Sequence, residues 1–314
     1  MEDVIVEALL CNEREAQILA ARELGKLATK LRQKLAERGI ISRLVTMLRT
    51  QDYEAIEAAL CYALSSFSQN KILIANSGAI PVLLEIIQCQ KESLIDLAAA
   101  TLLVLSSCSA NKLAIAAYGA ISILVGFLNF QLVEERGFQN LSVQAKLDII
   151  STFHNLSTYP QIIPSIVSSG MVKAMLQLMY EFGKQSEMIE KARALLEKMV
   201  SSSEIALKKV VETASLIIHF LVMAIEEGTP LCKEHAAATL LVMCQSCRDR
   251  CKSKDWLKNF GVAKRQREEG EECWFSSVST IFVPLKKDSI RFNPFFVGLQ
   301  LGLTPISSFP INCP

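Results

Sequence analysis

Apolar residues recur along much of the chain at steps of three and four. In DYEAIEAALCYALSSFS they fall at Ile56, Ala59, Leu60, Ala63, Leu64 and Phe67. That spacing places them on one face of a helix. Segments of the same kind are EREAQILAARELGKLA, ESLIDLAAATLLVLSSCS and SVQAKLDIISTFHNLS. Each leads through a short stretch, such as NKILIANS or NKLAIAAY, to a glycine and then an aliphatic run. The four runs are AERGIISRLVTML, ANSGAIPVLLEII, AAYGAISILVGFL and VSSGMVKAMLQLM. The unit therefore reads long helix, short helix, glycine, medium helix.

The glycines are Gly39, Gly78, Gly119 and Gly170, at intervals of 39, 41 and 51 residues. The two shorter steps suit the roughly 40–47-residue period of stacked helical arrays. Glycine is the expected residue where one helix ends left-handed and the next turns away. Asn70 and Asn111 stand at the same distance before their glycines and suit a turn or a helix start. The long step holds a polar insertion near 129–142, NFQLVEERGFQNLS, read as a loop. A fifth, degenerate unit follows: EMIEKARALLEKMVSSS, then VVETASLIIHFLVMAIEEG, without the glycine. A last long helix, PLCKEHAAATLLVMCQSCRDR, ends near Arg250. No unit can bury its apolar face alone, so neighbours must stack.

The pattern stops after Arg250. Residues 252–272 are charged, with a weak basic cluster at Lys264, Arg265 and Arg267, and 273–314 hold five of the nine prolines. Nothing there keeps a helical period or offers a helix pair to close the array. The expected organisation is a solenoid over 1–250 and an irregular, disordered or non-repeat tail over 251–314.

SGAIPVLLEII and NKLAIAAYGAISILVGFL resemble armadillo repeats. LAERGIISRLVTML, SSCSANKLAIAA, HNLSTYPQIIPSIVSSG and CKEHAAATLLVMCQSCRDR resemble the armadillo region of plant U-box ubiquitin ligases, across roughly 13–250. The resemblance implies an all-α, right-handed α-solenoid of about five armadillo repeats that binds proteins. In such ligases a separate U-box recruits the conjugating enzyme while the array holds substrates or regulators. No part of this sequence resembles a U-box, and the first repeat starts close to Met1. The expectation is a non-catalytic adaptor for substrates or regulators.

In such arrays the long helices line the partner groove. In the importin and catenin branches a ladder of Trp and Asn on them grips an extended peptide. Counting 15 residues back from each glycine gives Leu24, Ala63, Val104 and Asn155 at the Asn position. Four residues earlier, Ala20, Ala59, Ala100 and Ser151 occupy the Trp position. Asn155 alone keeps the ladder residue. The candidate groove residues are thus Ala59, Ala63, Ala100, Val104, Ser151 and Asn155. Their mostly aliphatic character suits an apolar helix or an irregular surface. An importin-like transport adaptor for extended peptide cargo is the alternative.

Composition changes this picture little. Apolar residues make up 51% of the chain and aromatics only 7%, a balance suited to aliphatic helix packing. Lys and Arg number 33 against 32 Asp and Glu, so no net charge draws the chain to nucleic acid or acidic membrane. The uncharged run 113–133 is long enough to span a bilayer, but reads as a buried helix pair broken at Gly119. The start, MEDVIVEALLCNERE, lacks a basic stretch before its apolar run and is not a secretory signal. Ten scattered cysteines point to reduced thiols in cytoplasm or nucleus. Cys244, Cys247 and Cys251 fit a buried helical stripe better than a metal site. His154, His219 and His235 are dispersed, Glu134 and Glu135 sit in polar loop sequence, and no phosphate-binding or nucleophile motif occurs. No cofactor, metal, small molecule, nucleic acid or membrane partner is expected.

Overall fold

A computed structural model describes residues 2–11, 13–65, 70–89, 91–129, 141–181, 187–212, 217, 221–222, 224–226 and 228–252. The expected insertion near 129–142 and the tail after Arg250 fall almost wholly outside them. The chain divides into two compact units, Met1–Thr239 and Leu240–Pro314. Among the described residues every regular element is helical.

The first unit is a two-layered solenoid. Its inner layer consists of the long helices α2 (Arg14–Lys26), α5 (Tyr53–Ser65), α8 (Glu92–Ser106), α11 (Val143–Leu156) and α14 (Glu187–Ser202), packed each on the next. Short helices α3 (Thr29–Glu37), α6 (Lys71–Asn76), α9 (Ser109–Ala117) and α12 (Ile163–Ser168) connect to medium helices. These medium helices, α4 (Ile40–Leu48), α7 (Ala79–Ile87), α10 (Ala120–Leu128) and α13 (Met171–Glu181), form the outer layer. The fifth unit adds α15 (Glu204–Glu212), and the helix Pro230–Lys252 follows as α16.

The four glycines make the corners. Gly39, Gly78, Gly119 and Gly170 have φ of 83°, 83°, 80° and 92°, the left-handed region where a side chain costs about 1–2 kcal/mol. In each, the glycine N–H returns to a carbonyl three residues back: Ala36, Ala75, Ala116 or Val167, at 3.0–3.1 Å. At Gly119 the two flanking helices bend by 79°. The uncharged run is thus split between α9 and α10, and no single described helix is long and apolar enough to cross a membrane. Aliphatic residues fill the space between layers. Leu83 and Ile87 of α7, and Leu124 of α10, are fully or almost fully buried, each contributing about 1.5–3 kcal/mol by leaving water.

The opening residues form a helix, α1 (Glu2–Leu10), that sequence reading did not assign. It packs on α2 and α4, burying Ile5, Val6 and Leu9. Ion pairs join Lys34 to Glu2 at 3.0 Å and Arg38 to Asp3 at 2.8 Å. Arg43 donates to the Leu9 carbonyl at 3.1 Å, satisfying the end of α1. α1 thus covers apolar surface of α2 and α4.

Asn70 stands at the N-cap position of α6 and Asn111 in the first turn of α9, the helix starts expected of them, but their side chains do a further job. Both are buried, and neither side chain caps a helix. The Asn111 amide donates to the Leu105 carbonyl at the end of α8 and to the Lys71 carbonyl of the preceding repeat, both at 3.2 Å. Asn70 donates to the Tyr62 hydroxyl at 3.4 Å. At the end of α8 the Leu105 carbonyl also accepts the Cys108 N–H at 3.2 Å, so the asparagine adds a second donor there and ties two repeats together.

Candidate partner-binding face

The exposed face of the inner layer lies opposite the medium helices. Its residues are set by the helix register, which differs between repeats. On α8, Ala100 and Val104 are half-buried; on α11, Ser151 and Asn155 are half-buried. These four lie on one face of adjacent helices. Ala59, the position equivalent to Ala100 when counted from the glycine, is only 2% exposed and belongs to the core. Ala20 and Leu24 of α2 are likewise buried. Ala63 lies on α5, but its side chain is outside those described.

Burial shows why counting from the glycine lands in the core on α5. Ala55, Ile56, Ala59, Leu60 and Tyr62 are buried, matching Leu94, Ile95, Ala98, Ala99 and Thr101 of α8 at a constant offset of 39 residues. The glycines of the same repeats are 41 apart. Cys61, which is exposed, therefore takes the place that Ala100 has on α8. Burial pushes the Cys61 thiol up, with the Glu57 carboxylate adding to the effect and Arg22 opposing it.

Asn155 does not stand as a free amide. Its Nδ2 donates to Ser106 Oγ of α8 at 2.9 Å, while that hydroxyl donates to the Leu103 carbonyl at 2.7 Å. One donor that a ladder asparagine would offer to a peptide backbone is spent on the neighbouring helix.

Charge is distributed unevenly across this face. Carboxylates gather near the starts of the long helices, where the helix dipole favours them. Each has a partner. Asp52 is bound by Arg14, and this guanidinium holds the carboxyl below its ordinary value. Glu54 pairs with Arg22 at 2.9 Å. Asp96 accepts from Ser142 Oγ at 2.7 Å, and Glu187 pairs with Lys191 at 3.0 Å. Asp148 is 7% exposed and accepts from Gln144 Nε2 at 2.9 Å. Burial pushes its carboxyl above the ordinary range; Gln144 and Lys191 oppose that, while Asp96 and Glu187 reinforce it.

Cations gather at the opposite ends. Lys71 donates to Ser107 Oγ at 2.7 Å, beyond α8. Lys112 donates to Thr158 Oγ1 at 2.7 Å, beyond α11, and its ammonium lies 5.7 Å from the Tyr159 ring centre. Lys198 of α14 donates to the His154 carbonyl at 3.3 Å. Burial, then Lys198, His235 and Lys112, hold the His154 imidazole below its ordinary value. His235 meets the Glu197 carboxylate. None of this was legible in the sequence, because the partners are 36 to 46 residues apart.

Of the cysteines singled out for a metal reading, Cys244, Cys247 and Cys251 lie on α16 with side chains outside those described. His219 also lies outside the described residues.

Comparison with known proteins matches this architecture. The Armadillo/beta-catenin-like repeat matches residues 67–107, which are α6, α7 and α8. This frames the unit as short, medium and long helix, the same three elements cut one helix later than in the sequence reading. U-box domain-containing protein 45 of Arabidopsis thaliana is 31% identical over 102 residues, covering 32% of this chain. The chain's match spans only 13% of that relative's length. Among solved structures, designed armadillo repeat protein YIII(Dq)4CqI superposes with a TM-score of 0.65 at 18% identity, over 76% of this chain and 98% of its own. The designed protein YIII(Dq.V1)4CPAF, solved with the peptide (KR)4, gives 0.65 at 19% identity with the same coverage. Left-handed glycine corners, a layer of long helices and a matching repeat at 67–107 identify this chain as an armadillo-repeat solenoid in fold.

Proposed function

We propose that the chain is a protein-binding scaffold whose partners dock on the exposed face of α8, α11 and α14. The observation that carries this reading is the half-buried row Ala100, Val104, Ser151 and Asn155 on adjacent helices. Small side chains there leave room for a partner's side chains to reach the helices, and the neighbouring charges give that partner a direction. Likeness to a U-box protein over 102 residues supports a role as substrate or regulator adaptor in ubiquitin-linked signalling. We propose further that the protein is non-catalytic and acts in cytoplasm or nucleus, a reading supported by the ten scattered cysteines of its sequence.

The test is a peptide-display selection on the full chain. Binders are expected to be lost in an Ala100→Arg/Val104→Arg variant and kept in Ser122→Arg, on the exposed side of α10. Binders indifferent to the first variant would remove this face as the docking site. Mixed with ubiquitin, activating enzyme and conjugating enzyme, the full chain is expected to build no ubiquitin chains. Vigorous chain formation would overturn the non-catalytic reading.

A further inference from the structure

A buried arginine without a partner stands near the end of the described array. Burial recurs in step along the long helices: Ile149, Ile150 and Phe153 of α11 match Ala192, Arg193 and Leu196 of α14. Arg193 thus occupies the place that Leu60, Ala99 and Ile150 hold in the earlier repeats, and it is only 4% exposed. Its Nε and Nη1 are buried and have no hydrogen-bond partner among the described residues. A guanidinium withdrawn from water without acceptors destabilises the arrangement that buries it.

On α14, Arg193 lies between two residues that tie this helix to the segment opening α16. Glu190, three residues earlier, accepts from Thr229 Oγ1 at 3.3 Å, and Glu197, four residues later, meets His235. Residues at these spacings share one helix face, so the segment from Thr229 to His235 is fastened on either side of Arg193. Thr229 also starts α16, its Oγ1 accepting the Cys232 N–H at 3.2 Å. Just before it, Gly228 packs so closely that an added Cβ would run into the Ala224 carbonyl oxygen and lie 2.9 Å from Cys232 Cβ. Cys232 is 1% exposed, whereas Cys61 is open to solvent.

From this juxtaposition we infer that residues 229–239 form a latch on α14 that opens reversibly, with Arg193 as the residue that makes opening easy. Closed, the latch engages Glu190 and Glu197 and leaves Arg193 unsatisfied. Open, it returns Arg193 to water and to those same two carboxylates, which stand at the i−3 and i+4 positions where helix side chains pair. The two states trade one set of partners for another, which keeps the difference between them small. Gly228 is the joint: only glycine fits between Ala224 and Cys232, and it is also the residue that turns most freely. Opening adds the face of α14 bearing Glu190, Arg193 and Glu197 to the surface offered to partners. The latch goes beyond the docking reading and stands without it, because it belongs to the chain with no partner bound.

The test follows alkylation of Cys232 by iodoacetamide in the full chain, read peptide by peptide by mass spectrometry, with Cys61 as the reference thiol. The native chain should label Cys232 at a rate that scarcely changes up to low urea, the mark of local rather than global opening. R193M, which keeps the length of the stem and removes the charge, should slow Cys232 by about tenfold or more and leave Cys61 as it was. R193L, which restores the residue type of Leu60, should act in the same direction. H235A, which cuts one tie, should speed Cys232 by about threefold or more. Labelling as fast or faster in R193M and R193L, whether from lost packing or from failure to fold, overturns the latch. An unchanged rate in H235A overturns it too. So does labelling of native Cys232 that climbs with urea from the first addition, in parallel with global unfolding.

Discussion

The repeats led by α5 and α8 share one corner and differ in the helix that precedes it. Gly78 and Gly119 have φ of 83° and 80° and return their N–H groups to Ala75 and Ala116. Yet eight residues separate Tyr62 from Asn70, whereas ten separate their counterparts Thr101 and Asn111. Two residues are a little over half a helical turn. The shift leaves the corner intact and rotates the surface, so Cys61 rather than Ala59 stands beside Ala100. Corners of a solenoid are set by local backbone chemistry; its working face is set by register, which drifts.

The largest test of that difference is a pair of identical substitutions. Ala59→Asp places an unpaired carboxylate in the core and should cost about 3 kcal/mol or more in urea unfolding. Ala100→Asp, at the position equal by glycine counting, should cost no more than about 0.5 kcal/mol. Equal losses would erase the register shift.

Shared corners predict shared costs. Gly119→Ala should destabilise by about 1–2 kcal/mol through backbone strain, since its added Cβ meets nothing within 4 Å. Gly78→Ala should cost a similar amount, its Cβ meeting only the flexible end of Arg49 at 3.1 Å. Chemical denaturation measures both; corners of unlike cost would mean that the surroundings, not the dihedral, decide.

The stitch between the two repeats comes next. Asn111→Ala removes the amide that ties the Lys71 and Leu105 carbonyls together, while Leu105 keeps the Cys108 N–H, and should lower stability by about 1 kcal/mol. Thermal unfolding checks it, and a loss below about 0.5 kcal/mol would deny Asn111 its linking role.

The smallest expected effect concerns the acidic edge. Asp148 is raised above 3.8 in the folded protein, so the native state holds its proton more tightly than the unfolded chain does. Stability linked to this group is present at low pH and is lost as pH rises above 3.8. Asp148→Asn keeps an acceptor for Gln144 and should raise the midpoint at pH 7 by roughly 1–2 °C. The gain should vanish as pH falls toward 3.8; a gain that persists there would point to packing rather than charge.

Much of the fold is legible in the residues themselves. Gly39, Gly78, Gly119 and Gly170 mark every left-handed corner among the described residues, because no other residue tolerates that backbone so cheaply. Ile5, Val6 and Leu9 also carried a helical spacing, but over nine residues it was too brief to announce a helix. The partner face is less legible. Ala59 and Ala100 are the same residue type at the same distance from a glycine, and only packing separates the buried one from the half-exposed one.

The sequence by itself determined the helices, their corners and the need to stack, since helical spacing and glycine's backbone freedom act within a few residues. Only the tertiary structure decided which side of α5 faces outward, that Asn111 binds across repeats, and that Lys112 and Lys198 meet at one helix end. Those outcomes depend on how successive helices settle against one another, and the groups involved come together from positions 40 to 46 residues apart.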